Sequence, residues 1–338
     1  MKIKGLTAFL LCLLCAAATA APPATPAPRE RIVLLVDEVR QIRSFPVLIA
    51  EQLGYFRDEG VDVTVMNTRN EEPYIDMLMD GRIDAVMAYW HHNVVYRAAG
   101  KEIEAVVTLG VTPGMRVLVS NQARDKYKTP ADLKGARIIA GGAGSSKSTT
   151  ANYLVLAGGH KLDEYTRAGT EGKDANAKLL SEGKADLVVA PTPDGFFYEK
   201  QGASLFADLT TPAGTRKAFG VLFPSNTIFM KSALVKEKPE IAQHLANAFV
   251  RTLKFINTHT PEEIMAKIPA DVRKQYGDDY LKVLKEQIPM FANDGRMPED
   301  GAAGEYRVLA EANPKYKSVD VKQTYTNAFV DKALKAQH

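Results

Sequence analysis

One pattern narrows the fold more than any other: apolar, β-branched runs alternate with helical stretches from residue 32 to 109, and the alternation starts again after residue 116. Residues 32–36 form a continuous apolar run, the mark of a strand covered on both faces, as in a parallel sheet. A helix follows, with Pro46 in its first turn, Leu48, Ile49, Leu53 and Phe56 at helical spacing, and Gly60 just past its end. The spacing predicts strand over 61–66, helix over 71–79, strand over 83–87, then a helix leading to strand 103–109. The second round predicts strand 116–120, a short helix opened by Thr129-Pro130, strand 136–140 and a helix from Ser146 to Ala157. Such alternation specifies an α/β layered sheet with right-handed crossovers.

An internal echo accompanies the two rounds. Gly81-Arg82-Ile83-Asp84-Ala85-Val86-Met87-Ala88 is answered by Gly183-Lys184-Ala185-Asp186-Leu187-Val188-Val189-Ala190. Two lobes built alike would produce this, although any helix that ends at glycine before a buried strand gives a similar string. A second extended stretch over 219–230 then gives way to helix, with Pro239 at a helix start and Ile241, Leu245, Phe249, Leu253 and Ile256 behind it. The chain is therefore expected to cross twice between lobes: 31–117 plus 224–338 in lobe one, 118–223 in lobe two. A length of 338 residues suits two domains, and 46% hydrophobic with 25% charged residues is ordinary globular usage.

The first twenty residues carry a different message. Lys2 and Lys4 precede an apolar run from Leu6 to Ala18 that closes on Ala18-Thr19-Ala20, the pattern of a cleaved secretory signal peptide. The run is too short for a bilayer span. Leu14 before Cys15 argues against lipidation there. Residues 21–30 are proline-rich and are expected to form an extended leader outside the fold. Both cysteines leave with the signal peptide, so disulfides and thiolate chemistry drop out. Without Lys2 and Lys4 the 43 basic residues become 41 against 40 acidic ones, and no basic block offers nucleic acid a footprint. A periplasmic location is the expectation.

The chain resembles the periplasmic solute-binding proteins of ABC importers in the nitrate, sulfonate and taurine group, which includes thiamine-precursor binders. The resemblance covers nearly the whole mature chain and rests on four segments in order: Pro46 through Gly60-Val-Asp-Val, Gly81-Arg-Ile-Asp-Ala85, Arg97-Ala-Ala-Gly-Lys101 and Asp132-Leu-Lys-Gly135. It implies a two-lobed periplasmic-binding-protein fold, type II-like, with two crossing strands as hinge and a ligand held in the cleft. It also implies an ABC permease in the inner membrane as partner, a binding role without catalysis, and a monomer.

Open α/β sheets bind ligands beyond the carboxyl ends of their strands, which nominates four loops. The first carries Asp37, Arg40, Arg43, Ser44 and Phe45; an arginine here could clamp a carboxylate or sulfonate, though loop arginines are ordinarily solvated. The second presents Tyr89, Trp90, His91 and His92, where the only tryptophan could stack on a flat ligand and report lobe closure, with core packing as the plainer role. The third, Gly141 to Thr149, offers Gly144, Ser145, Ser146, Lys147 and Ser148 at a helix start suited to an anionic group, or simply a cap. It misses a nucleotide-binding P-loop by having Ser146 where glycine is required. The fourth loop contributes Thr192 and Asp194, stiffened by Pro191 and Pro193.

Many members of the family carry small residues where this chain has Tyr89-Trp90-His91-His92, so the resemblance argues for a larger organic anion, a sulfonate or an aromatic or other carboxylate, over nitrate. Adjacent His91 and His92 point about 100° apart in a helix and lack a nameable third ligand, so no metal is expected, and no cofactor. The rival reading is an enzyme of the pyrimidine-forming, thiamine-precursor type on the same fold, for which no catalytic spacing can be named.

Overall fold

The computed structural model describes residues 29–36, 41–67, 73–169, 172–274 and 276–336. The expected signal peptide and most of the expected leader lie outside these residues. Ten strands are described: β1 (Glu30–Val36), β2 (Val61–Asn67), β3 (Ala85–Tyr89), β4 (Ile103–Thr108), β5 (Met115–Val119), β6 (Arg137–Ile139), β7 (Thr166–Ala168), β8 (Leu187–Pro191), β9 (Ser204–Leu209) and β10 (Asn226–Lys231). They make two five-stranded sheets, in the orders β2-β1-β3-β10-β4 and β7-β6-β8-β5-β9.

The two orders are the same pattern read twice. In the first sheet β1 pairs in parallel with β2 and β3, and β10 enters antiparallel between β3 and β4. In the second, β6 pairs in parallel with β7 and β8, while β5 lies antiparallel between β8 and β9. The echoed segments thus become β3 and β8, which hold equivalent places. Because both faces of each central strand are covered, β1 reads Ile-Val-Leu-Leu-Val and β8 reads Leu-Val-Val-Ala, with almost no polar interruption.

Separate apolar cores sit under each sheet. One gathers Leu34, Val36, Phe45, Ile49 and Met87 against the amphipathic helix Pro239–Thr258; another gathers Val117, Ile138, Leu154, Val189 and Phe223. Strand β5 lies wholly in the second sheet, so the chain leaves the first sheet at 109–114, earlier than the expected boundary at 117. It returns over 210–225. The two crossings run side by side: Ser225 N donates to Gly110 O at 2.9 Å, Phe223 N to Val111 O at 3.0 Å, and Gly110 N to Asn226 O at 3.1 Å. Their approach is close enough that a Cβ on Gly110 would collide with Ser225 Oγ. Among the described residues no helix is long and apolar enough to cross a membrane.

Candidate functional site

A cavity of about 500 Å³ opens between the sheets at the carboxyl ends of β1, β3, β6 and β8. The first sheet contributes Gln41, Ile42 and Arg43 after β1, and Ala88, Tyr89, His91 and His92 at the end of β3. The second contributes Ser145, Ser146 and Lys147 after β6, then Pro191, Pro193 and Asp194 after β8. Crevices at strand ends are where such sheets take ligands, since helix N-termini and loop amides converge there.

Of the residues nominated from sequence, Arg43, Tyr89, His91, His92, Ser145, Ser146, Lys147 and Asp194 line this cavity together. Asp37 and Arg40 lie outside the described residues. The others stand elsewhere, each for a physical reason. Phe45 is fully buried and stacks on Phe291 with ring centroids 6.2 Å apart, and Ser44 is buried beside it. Thr192 is buried too, its hydroxyl accepting from Gln287 Nε2. Gly144 and Ser148 face a different cavity, on the far side of their loop.

Trp90 is the main correction. The chain turns into αR backbone at Trp90 (φ −58°, ψ −32°) as the helix His91–Ala98 begins, and the indole lands in a core with Leu35, Val86, Val94 and Phe229. Its exposure is 0%, so it is packing, not wall.

The glycine-rich loop forms as its composition requires. Gly141 and Gly144 take positive φ of 67° and 79°, and Ser145 caps the helix Ser146–Ala157 by accepting from Ser148 N at 3.2 Å. The Ser145 hydroxyl is therefore engaged by its own helix, whereas Ser146 and Lys147 face the cavity. On the opposite wall Tyr89 OH donates to Pro113 O at 3.0 Å. Burial pushes the Tyr89 phenol up, offset by the nearby Arg43 cation, raised further by Glu305 and lowered by a hydrogen bond from Ser146. Arg43 is anchored from behind, its carbonyl accepting from Asn226 Nδ2 at 3.0 Å.

Behind this wall, His91 and Glu305 are 2% and 0% exposed, with Nδ1 and Oε1 3.9 Å apart. Burial drives the His91 imidazole well below its ordinary range, and the neighbouring His92 pushes the same way, with a hydrogen bond to the Gly144 carbonyl opposing. Burial alone drives the Glu305 carboxyl well above its usual range. Burial thus favours the uncharged form of each group.

Sequence reasoning missed the third side of the cavity. Tyr276, Val283, Gln287 and Met290 come from the C-terminal helical region, and Tyr74 from before β3. No local pattern marks the four C-terminal residues, because only the return of the chain from the second sheet brings them to the cleft.

A family model described as NMT1/THI5 like matches residues 41–264, about two thirds of the chain. The chain belongs to this family. Within the family's reach, a 4-amino-5-hydroxymethyl-2-methylpyrimidine phosphate synthase of Saccharomyces cerevisiae, THI13, is 26% identical over 145 residues, which are 42% of this chain and 40% of that protein. The matched stretch thus spans well under half the length of that curated relative. Among solved structures, a protein of Bordetella bronchiseptica RB50 superposes with a TM-score of 0.72 at 27% identity, covering 92% of this chain and 98% of the other. The periplasmic aliphatic sulphonate binding protein SsuA of Escherichia coli superposes with a TM-score of 0.65 at 16% identity, covering 89% and 99%. The fold is that of the periplasmic binding proteins, as the sequence resemblance implied.

Proposed function

We propose that the chain is the substrate-binding component of an ABC importer, a periplasmic monomer that takes a small organic anion between its lobes and hands it to a membrane permease. One observation carries the reading: Arg43 from the first sheet and Lys147 from the second face a single cavity whose wall holds one carboxylate, Asp194, among the described residues. A ligand touching both cations binds the closed arrangement best and so favours it. Tyr74, Tyr89, Tyr276, His91 and His92 give the cavity flat walls, which suit an aromatic or otherwise bulky acid better than nitrate. The lobes in this reading are residues 30–108 with 226–336, and 115–209, hinged at the paired crossings.

Thermal-shift screening of sulfonates, nitrate, aromatic carboxylates and pyrimidines tests the ligand class. A ligand at 100 times its Kd adds about 2.7 kcal/mol of stability. Organic anions should shift wild type and shift Lys147→Ala less; a response confined to neutral pyrimidines, or none from any anion, overturns the assignment. N-terminal sequencing of exported protein should begin at Ala21.

A second reading is favoured by the adjoining His91 and His92 rings, with centroids 4.2 Å apart and planes tilted by 37° on the cleft wall, and by the named activity of the yeast relatives: an enzyme of pyrimidine-forming type. Mass spectrometry separates the two. A binding protein returns every hit unchanged after prolonged incubation, whereas an enzyme converts one.

A further inference from the structure

The glycine-rich loop has two sides. Ser145, Ser146 and Lys147 face the cleft, while Gly144 and Ser148 face a second cavity of about 430 Å³ between the helices Ser146–Ala157 and Glu299–Ala312. The cleft reading does not use this space. Its chemistry is one-sided: among the described residues its lining holds no Asp or Glu, and its one permanent cation is Arg167. The Arg167 guanidinium has no hydrogen bond or ion pair among those residues.

Two amides add donors. Asn152 Oδ1 is taken by Tyr165 OH at 2.6 Å and Asn313 Oδ1 by Lys315 N at 3.1 Å, which leaves each NH2 group for the cavity. Tyr165 and Tyr316 supply flat sides.

A solvated arginine is ordinary, but His91 is not. It lines both cavities, is 2% exposed, and neither of its ring nitrogens makes a well-formed hydrogen bond, the Gly144 carbonyl being its one weak backbone partner. Buried polar groups are nearly always paired, and an unpaired one is costly. A neutral imidazole placed so offers an N–H to an acceptor entering either cavity.

We propose that this crevice is a second binding site, for an organic acid with a flat apolar body whose carboxylate or sulfonate is held by Arg167 and the amides of Asn152 and Asn313. A volume of about 430 Å³ accommodates such a molecule. The site stands apart from whatever the cleft takes, because the two share only His91.

The probe is 4-iodobenzoate, located in soaked crystals by the anomalous signal of iodine and followed in solution by the side-chain amide resonances of Asn152 and Asn313. Iodine should occupy the crevice with the carboxylate at Arg167, and both amide signals should move on titration. Arg167→Leu, on an exposed edge, should fold normally, lose the crevice iodine and weaken the solution response about tenfold or more. An empty crevice overturns the proposal, as does an unchanged response in Arg167→Leu. Iodine in the crystal without a solution response means binding at crystal concentration only and overturns it equally. Failure of the cleft reading would look different: no iodine beside Lys147, with the crevice still filled.

Discussion

Asp84 and Asp186 hold the same station in the two sheets: the Oδ2 of each accepts a backbone N–H from the strand that pairs in parallel on both sides, at 2.8 Å, Val33 in β1 and Arg137 in β6. Each aspartate also donates its own N–H to the carbonyl of that same residue, at 2.9 and 2.8 Å. The aspartate three residues after the glycine of each echo is therefore the clasp that starts the parallel pairing of β3 on β1 and of β8 on β6.

Asp84→Ala and Asp186→Ala should each lower the unfolding free energy by about 1–3 kcal/mol, the scale of a half-buried donor left unpaired. Urea unfolding measures it. A loss of only a few tenths at Asp84 would mean that water replaces the carboxylate at Val33.

Arg116 ties the C-terminal helices to the second sheet. From β5 its guanidinium reaches Glu199 at 2.5 Å on the helix Thr192–Lys200 and Glu286 at 3.2 Å on the helix Tyr280–Gln287, while its side chain is 9% exposed. Arg116→Met should cost roughly 1–3 kcal/mol, less than a fully buried pair, because both carboxylates reach water. Small-angle scattering should show a larger radius of gyration in this variant without ligand; an unchanged radius would confine Arg116 to stability.

Trp90 emission should resist quenching by iodide in the folded protein, since the indole is fully buried. Trp90→Ala should cost about 3–5 kcal/mol by leaving a cavity. Trp90→Phe should cost much less, because the indole Nε1 has no partner to lose. Efficient quenching would return Trp90 to the cleft wall.

His91 and Glu305 pull stability in opposite directions with pH. The depressed His91 contributes stability that is full above its ordinary value of 6.5 and is lost as pH falls below it, because the unfolded chain then takes the proton. The raised Glu305 contributes stability that is full below 4.5 and is lost as pH rises, because the unfolded chain then gives its proton up. Glu305→Gln should accordingly gain melting temperature over wild type progressively above pH 4.5. Melting curves of the two proteins that stay parallel from pH 4.5 to 8 would show the carboxyl to be ionised in the fold.

Where a strand and its following loop are contiguous in sequence, their place was legible. The apolar runs located β1, β3 and β8, and the glycine-serine segment located the helix Ser146–Ala157, whose cap the structure gives as Ser145. Trp90 was misplaced because strand ends do not reveal where the backbone turns helical, and one residue of that turn moved the indole from wall to core. Tyr276 and Gln287 were invisible for another reason. They reach the cleft only through packing of the helix Tyr280–Gln287 against β5 and Gly114, a contact across more than half the chain that no local pattern encodes.

The position of β10 also sets an order of events during synthesis. Strand β4 has a single neighbour in its sheet, and that neighbour is β10. When residues 103–108 leave the ribosome, their partner does not yet exist, and the entire second sheet is made before it does. The second sheet can finish itself from contiguous chain, while the first waits with two unpaired edges, β3 and β4, separated by the width of a missing strand. Exposed edges invite association with other chains. A nascent protein stalled before residue 226 is thus an open template, kept from its final form and within reach of a chaperone or a translocation machine until one late strand slides in and closes the gap.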